Sequence, residues 1–183
     1  MNRFTLAFAL FISIITVSAH AADEATYPAW SLADSQGQVV NFPADINKPT
    51  LILYWASWCP YCKALMPHLQ SVIDEHGATA IDVWAVNVFE NDKADPRAHL
   101  EERAFQFRLF EQGDEIARSW NVHATPGLFL TDDSGKIVWH LGLAQQPRSG
   151  DDEHSKHWQV AARKAPYWAA EMRKALHGLP KDR

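Results

Sequence analysis

Thr50-Leu51-Ile52-Leu53-Tyr54-Trp55-Ala56-Ser57-Trp58-Cys59-Pro60-Tyr61-Cys62-Lys63 decides how this chain is read. The run from Thr50 to Trp55 carries no charge and suits a strand buried on both faces of a sheet. Behind it, the only two cysteines of the chain open what reads as a helix. Unpaired backbone N–H groups and the positive end of the helix dipole stabilise a thiolate at that position. Cys59 is therefore expected to be ionised near neutral pH. Cys62, one turn further in, is placed to attack the same sulfur and release whatever Cys59 has captured. This is the layout of a redox-active dithiol, with a static structural disulfide as the alternative. A structural zinc site needs four ligands, and no second Cys pair or Cys-His pair accompanies the first. Covalent haem attachment requires His after the second cysteine, where Lys63 stands.

The N-terminal residues read as an export signal over 1–21. Arg3 gives a positive start, Phe4 to Val17 is free of charge, and Ala19-His20-Ala21 offers small residues for cleavage. The alternative is an uncleaved membrane anchor, although the stretch is shorter than the roughly 20 apolar residues of a span. Either way the rest of the chain, 22–183, is expected in an oxidising compartment, the periplasm of a bacterium. The formal net charge of −5 and the absence of a basic block argue against a nucleic-acid partner. One domain is the economical division of 22–183, with a core that stands without structural cross-links.

Ala29 to Leu32 and Val39 to Phe42, on either side of Ser35-Gln36-Gly37-Gln38, read as a hairpin. The helix opened by Cys59 is predicted to run through Leu65 and Leu69 to about Glu75, kinked at Pro67. Ala80 to Val88 is a second central strand candidate, Asn91 to Arg97 is polar, and Leu100 to Phe110 is predicted helical. Asp114 to Trp120 makes a short helix. Leu128 to Thr131 and Lys136 to Leu141 form a hairpin around Asp132-Asp133-Ser134-Gly135. From about Asp151 to His177 the tail is predicted helical, with Pro166 opening a second segment and Trp158, Tyr167, Trp168, Met172 and Leu176 at core-like spacing. This order gives an α/β fold with a mixed sheet.

Trp55 to Lys63, followed by Pro67, resembles the thioredoxin superfamily, and within it the exported TlpA-like and ResA-like proteins. The resemblance implies a thioredoxin fold: a central mixed β-sheet flanked by helices, here with an N-terminal β-hairpin extension and a C-terminal helical tail. It implies that Thr125-Pro126 is a cis bond facing the dithiol and leaves the backbone of residue 125 free to pair with an extended client. Cys59 is then the attacking sulfur and Cys62 the resolving one, while Trp58, Pro60, Tyr61, Thr125 and Pro126 dock the client. No organic cofactor and no metal is implied, since electrons pass through the sulfurs. The partners implied are protein disulfides or thiols and a membrane-borne thiol donor or oxidant protein that resets the dithiol. TlpA-like likeness favours reduction; disulfide formation or isomerisation, and a copper-handling module using both cysteines and a histidine, are the alternatives.

Two departures bear on mechanism. The buried Asp and Lys of thioredoxins fall on Leu53 and Ala85 here, and the Glu that ResA-like proteins often place three residues after the second cysteine falls on Leu65. The usual proton acceptors for Cys62 are therefore missing. Pro60-Tyr61 matches glutaredoxin, but the leading hairpin and export signal do not. His123 is a candidate acid or base near the dithiol, although a surface role is the simpler reading. Asp151, Glu153, His154 and His157 are more simply a solvated helix start than a metal cluster. Trp84, Trp139, Trp158 and Trp168 are read as packing residues, and Glu111, Asp114 and Glu115 as a polar loop and helix cap.

Overall fold

The computed structural model describes residues 27–91, 93–144 and 156–180. The stretch read as an export signal, together with Asp151, Glu153 and His154, lies outside them. Strand β1 (Trp30–Ala33) pairs antiparallel with β2 (Val39–Phe42), as the alternation in the sequence requires. The apolar run forms β3 (Thr50–Trp55), buried at every residue. Helix α1 (Pro60–His76) follows with Pro67 inside it. Next comes β4 (Asp82–Asn87), parallel to β3.

The predicted helix over Leu100–Phe110 is corrected by the structure. Helix α2 (Pro96–Glu101) starts earlier, because Pro96 occupies its first turn and Asp95 caps the Ala98 N–H at 2.8 Å. Ala104 then takes φ +53°, and the chain continues as β5 (Arg108–Phe110), parallel to β4. Phe105 and Phe107, which the sequence reading placed on a helix, stack on each other with ring centroids 5.0 Å apart. Helix α3 (Asp114–Ser119) leads to β6 (Gly127–Thr131), antiparallel to β3, and then to β7 (Ile137–His140) at the sheet edge. The five-stranded sheet has the order β5-β4-β3-β6-β7.

A second correction concerns the tail. Helix α4 (His157–His177) runs through Pro166 without a break. Pro166 and Ala162, whose carbonyl loses its donor, are both exposed, which leaves that carbonyl on the solvent side of the helix. Trp158 is 60% exposed rather than packed, whereas Met172 is fully buried. Arg173 ties α4 to α1, donating to Glu75 at 2.9 Å and to Ser71 Oγ at 2.6 Å. No helix among the described residues is long and apolar enough to cross a membrane.

Strand alternation divides the interior into two cores. Leu51, Leu53 and Trp55 of β3, with Val83 and Ala85 of β4, face α1 and α4. Ile52 and Tyr54, with Trp84 and Val86, face the hairpin and α3 in an aromatic cluster with Trp30, Phe42, Trp120 and Phe129. Both cysteines belong to the first core. The hairpin is fixed to the sheet by buried Asp34, whose carboxylate accepts from the Gln36 and Gln38 N–H groups and from Arg108 at 2.8 Å.

Candidate active site

Cys59 is the N-cap of α1, with extended backbone angles. Pro60 follows at the first helical position, where its missing N–H leaves no helix bond unmade. The Cys59 sulfur accepts from the Cys62 N–H at 3.3 Å, and its thiol donates to the Thr125 carbonyl at 3.4 Å. The Thr125–Pro126 bond is cis, as the resemblance implied. A fold in which β3 and β6 are antiparallel neighbours therefore brings Cys59, Cys62, Thr125 and Pro126 to one end of the sheet. Trp58, beside them, is 52% exposed, and its indole N–H donates to the Phe89 carbonyl at 2.8 Å. Tyr61 turns toward α4, with its ring 6.1 Å from Trp168 and 6.2 Å from His157.

Both thiols are free and nearly covered, Cys59 at 2% exposure and Cys62 at 0%. Their ionisation is pulled apart. The hydrogen bond from the Cys62 thiol, followed by the contact with Thr125 and the backbone N–H groups of Cys62 and Tyr61, lowers Cys59 to about 6 against the opposing effect of burial. Burial raises Cys62, and the neighbouring Cys59 raises it further. The helix terminus singled out in the sequence does contribute through its N–H groups, yet the largest single cause is the second cysteine. Leu53, Leu65 and Ala85 are each fully buried in the core that holds the two sulfurs. The three positions that the thioredoxin and ResA-like resemblance singled out for charged groups near Cys62 are thus apolar and buried here.

His123 is exposed and lines a groove of about 870 Å³ that starts at Pro126 and reaches Trp168 and Lys164 of α4. Among the described residues no three His, Cys, Asp or Glu side chains gather at one point. The sequence reading missed Asn87 and Glu90. The Glu90 carboxylate accepts from the Ser57 N–H, from Ser57 Oγ at 2.9 Å and from Asn87 Nδ2 at 2.7 Å. Polar residues at the C-terminal end of an otherwise apolar parallel strand were the available signal, since sites in such sheets gather at those ends.

The AhpC/TSA family profile matches residues 24–140. A thioredoxin-like protein of Haemophilus influenzae is 29% identical over 115 residues, which are 62% of this chain and 66% of that one, slightly less than two thirds of its length. The thiol:disulfide interchange protein DsbE of Escherichia coli is 27% identical over 137 residues, covering 72% of this chain and 70% of that protein. Among solved structures, a DsbE-type protein of Chlorobium tepidum superposes with a TM-score of 0.55 at 21% identity, covering 76% of this chain and 94% of that one. This structural likeness concerns the thioredoxin-like fold.

Proposed function

The chain belongs to the AhpC/TSA family, and from the asymmetry of its two thiols we propose that it is a protein thiol-disulfide oxidoreductase. The observation that carries this reading is geometric: the helix-capping Cys59 sulfur accepts the Cys62 N–H at 3.3 Å and faces the cis Thr125–Pro126 bond, with Cys62 fully buried one turn further in. An ionised, helix-capping sulfur next to a neutral buried one is what a two-step exchange needs. The Cys59 thiolate attacks one sulfur of a client disulfide and forms a mixed disulfide, and the other client sulfur leaves as a thiolate. Cys62 then loses its proton and attacks the Cys59 sulfur. The Cys59–Cys62 disulfide forms, the second client thiolate departs, and two electrons have passed to the client. Thr125 and Pro126 support the client backbone, while Trp58, Pro60 and Tyr61 shape the surface around the sulfur.

In this reading residues 22–183 are one thioredoxin-like domain that works in the periplasm after export by the segment 1–21. Reduction of exported proteins is the favoured direction, with a membrane-borne thiol donor returning the dithiol to its reduced state. The names of the relatives, a thiol:disulfide interchange protein among them, support the exchange chemistry. A second direction has its own support. Lowering Cys59 to about 6 stabilises the reduced form and so makes the disulfide more oxidising. Equilibration of the protein with glutathione buffers separates the two. A potential near roughly −200 to −230 mV or lower, with turnover of a client disulfide, supports reduction. A potential near about −120 mV, with rapid oxidation of reduced unfolded clients, replaces it with the oxidase.

A further inference from the structure

Glu90 lies outside the dithiol and outside every residue set named for client docking, yet it is the hub of the contacts that hold the turn in front of Cys59. That turn leaves β3 at Trp55 and enters α1 at Cys59, whose N–H bonds to the Ala56 carbonyl at 3.1 Å. It is held from the β4 side at three points. The Trp55 carbonyl accepts from the Val88 N–H at 2.9 Å and from Asn87 Nδ2 at 3.3 Å. Ser57 gives both its N–H and its hydroxyl to the Glu90 carboxylate. Trp58 gives its indole N–H to the Phe89 carbonyl. Asn87 Nδ2 closes the set by donating to Glu90 as well, so a single carboxylate collects three donors.

The backbone of this strap is shaped for the purpose. Phe89 has φ +55°, a conformation that a residue with a bulky side chain rarely adopts. Its N–H is taken by Asp114 Oδ1 at 3.2 Å and its carbonyl by Trp58, which fixes the unusual turn from both sides. The Glu90 carboxylate takes two donors from Ser57 and one from Asn87, so it is the most densely bonded of the three attachments. Ser57 is two residues from Cys59. A shift of Ser57 moves the Ala56–Cys59 turn, and with it the alignment of the Cys59 sulfur on the Cys62 N–H and on Thr125.

The geometry points to Glu90 as a positioning residue for the dithiol: by binding both polar groups of Ser57 it fixes the turn from which Cys59 and Trp58 are presented. The inference rests on Cys59 being the reacting sulfur of the exchange proposed above. Its effect comes from shape rather than charge, and that separates the informative variants. Glu90→Gln keeps an acceptor for the Ser57 N–H and a donor for its hydroxyl. Glu90→Asp keeps the charge but is too short by one methylene to hold both groups.

The test is the rate of iodoacetamide alkylation of Cys59 across pH, together with the glutathione-buffer potential and the rate of client-disulfide reduction, in the full chain and in these variants. Glu90→Asp and Glu90→Ala are expected to slow Cys59 alkylation at pH 6 by about threefold or more, with the pH midpoint moving upward and the potential becoming more reducing. Glu90→Gln is expected to stay within about twofold of the unaltered protein. Equal reactivity of Glu90→Asp and the unaltered protein overturns the inference, as does a Glu90→Gln variant as impaired as Glu90→Asp. Should Glu90→Ala fail to fold, the Asp and Gln pair carries the comparison alone. If the unaltered protein turns over no disulfide while Glu90→Asp still shifts the alkylation midpoint, the oxidoreductase reading falls and the positioning role stands.

Discussion

Cys62 acts on Cys59 twice over: its N–H reaches the Cys59 sulfur at 3.3 Å, and its neighbouring thiol is the largest influence holding the Cys59 thiol below its ordinary value. The second cysteine thereby activates the first before it ever attacks it. Cys62→Ser keeps the N–H and a hydroxyl donor and should leave Cys59 substantially ionised at pH 7, whereas Cys62→Ala loses the side-chain donor. The expected order of Cys59 reactivity at pH 6.5 is therefore the unaltered protein and Cys62→Ser above Cys62→Ala, by roughly threefold or more. Initial rates of alkylation with a small reagent measure it.

Stability of the reduced protein should depend on pH in two opposite steps. Cys59 has a folded value of about 6 against 9.0 for the free group, so it contributes stability that is present above pH 9 and is lost as pH falls toward 6. Cys62 is raised by burial, so it is neutral in the folded state while the unfolded chain ionises; its contribution falls as pH climbs past 9. Melting of the reduced form should rise from pH 6 to 9 and drop beyond it. The rising arm should be absent from the profile of a Cys59→Ser variant, and its persistence there would assign it to another group.

Leu53 is fully buried in the sulfur-side core, opposite Ala85 in the β3–β4 register. Leu53→Asp places a carboxylate among apolar neighbours and should cost about 3 kcal/mol or more of stability. The same group supplies the proton acceptor that Cys62 lacks. Resolution of mixed disulfides should accelerate by roughly tenfold or more in the fraction that remains folded. Stopped-flow turnover of a model disulfide, set beside urea unfolding, reads both effects, and slower turnover in a folded variant would refute the missing-base argument.

The hairpin depends on one carboxylate. Burial opposes ionisation of Asp34, but hydrogen bonds from Gln38, Arg108 and Gln36 outweigh it and hold the group below its ordinary value. A lowered carboxyl stabilises the fold above its unfolded pKa and loses that contribution as pH falls through the folded one. Asp34→Ala should lower stability by about 2–3 kcal/mol at neutral pH and flatten the acid limb of the stability profile below about pH 4. Urea denaturation at pH 7 and pH 3 makes the comparison.

The parts of the fold governed by local rules were legible in the sequence. The hairpin of β1 and β2, the buried run of β3, the helix capped by Cys59 and the β6–β7 hairpin each carry their own period or turn chemistry. Strand β5 was not legible, because a three-residue strand has no period of its own and acquires its state from pairing with β4. Pro166 misled in the other direction: the predicted break is absent, and α4 continues through it with Pro166 and Ala162 on its exposed side. At the site, the two cysteines and Thr125-Pro126 were readable from spacing and family likeness. Glu90 was marked only by its place just past the end of β4; its pairing was not readable, since Ser57 stands 33 residues away in sequence and meets it only because β3 and β4 are parallel neighbours.

Strand β3 is the wall shared by two different interiors, and its period of two assigns Leu53 to the sulfurs and Tyr54 to the aromatic cluster. A frame error of one residue exchanges those assignments. Deleting a single residue between Lys48 and Leu51 would bring Tyr54, whose hydroxyl already lacks a partner, to the dithiol and push Leu53 among the tryptophans. Point substitutions along this strand are graded insults, but a one-residue deletion is all-or-none. The length of the loop before β3 is therefore under a tighter constraint than its composition.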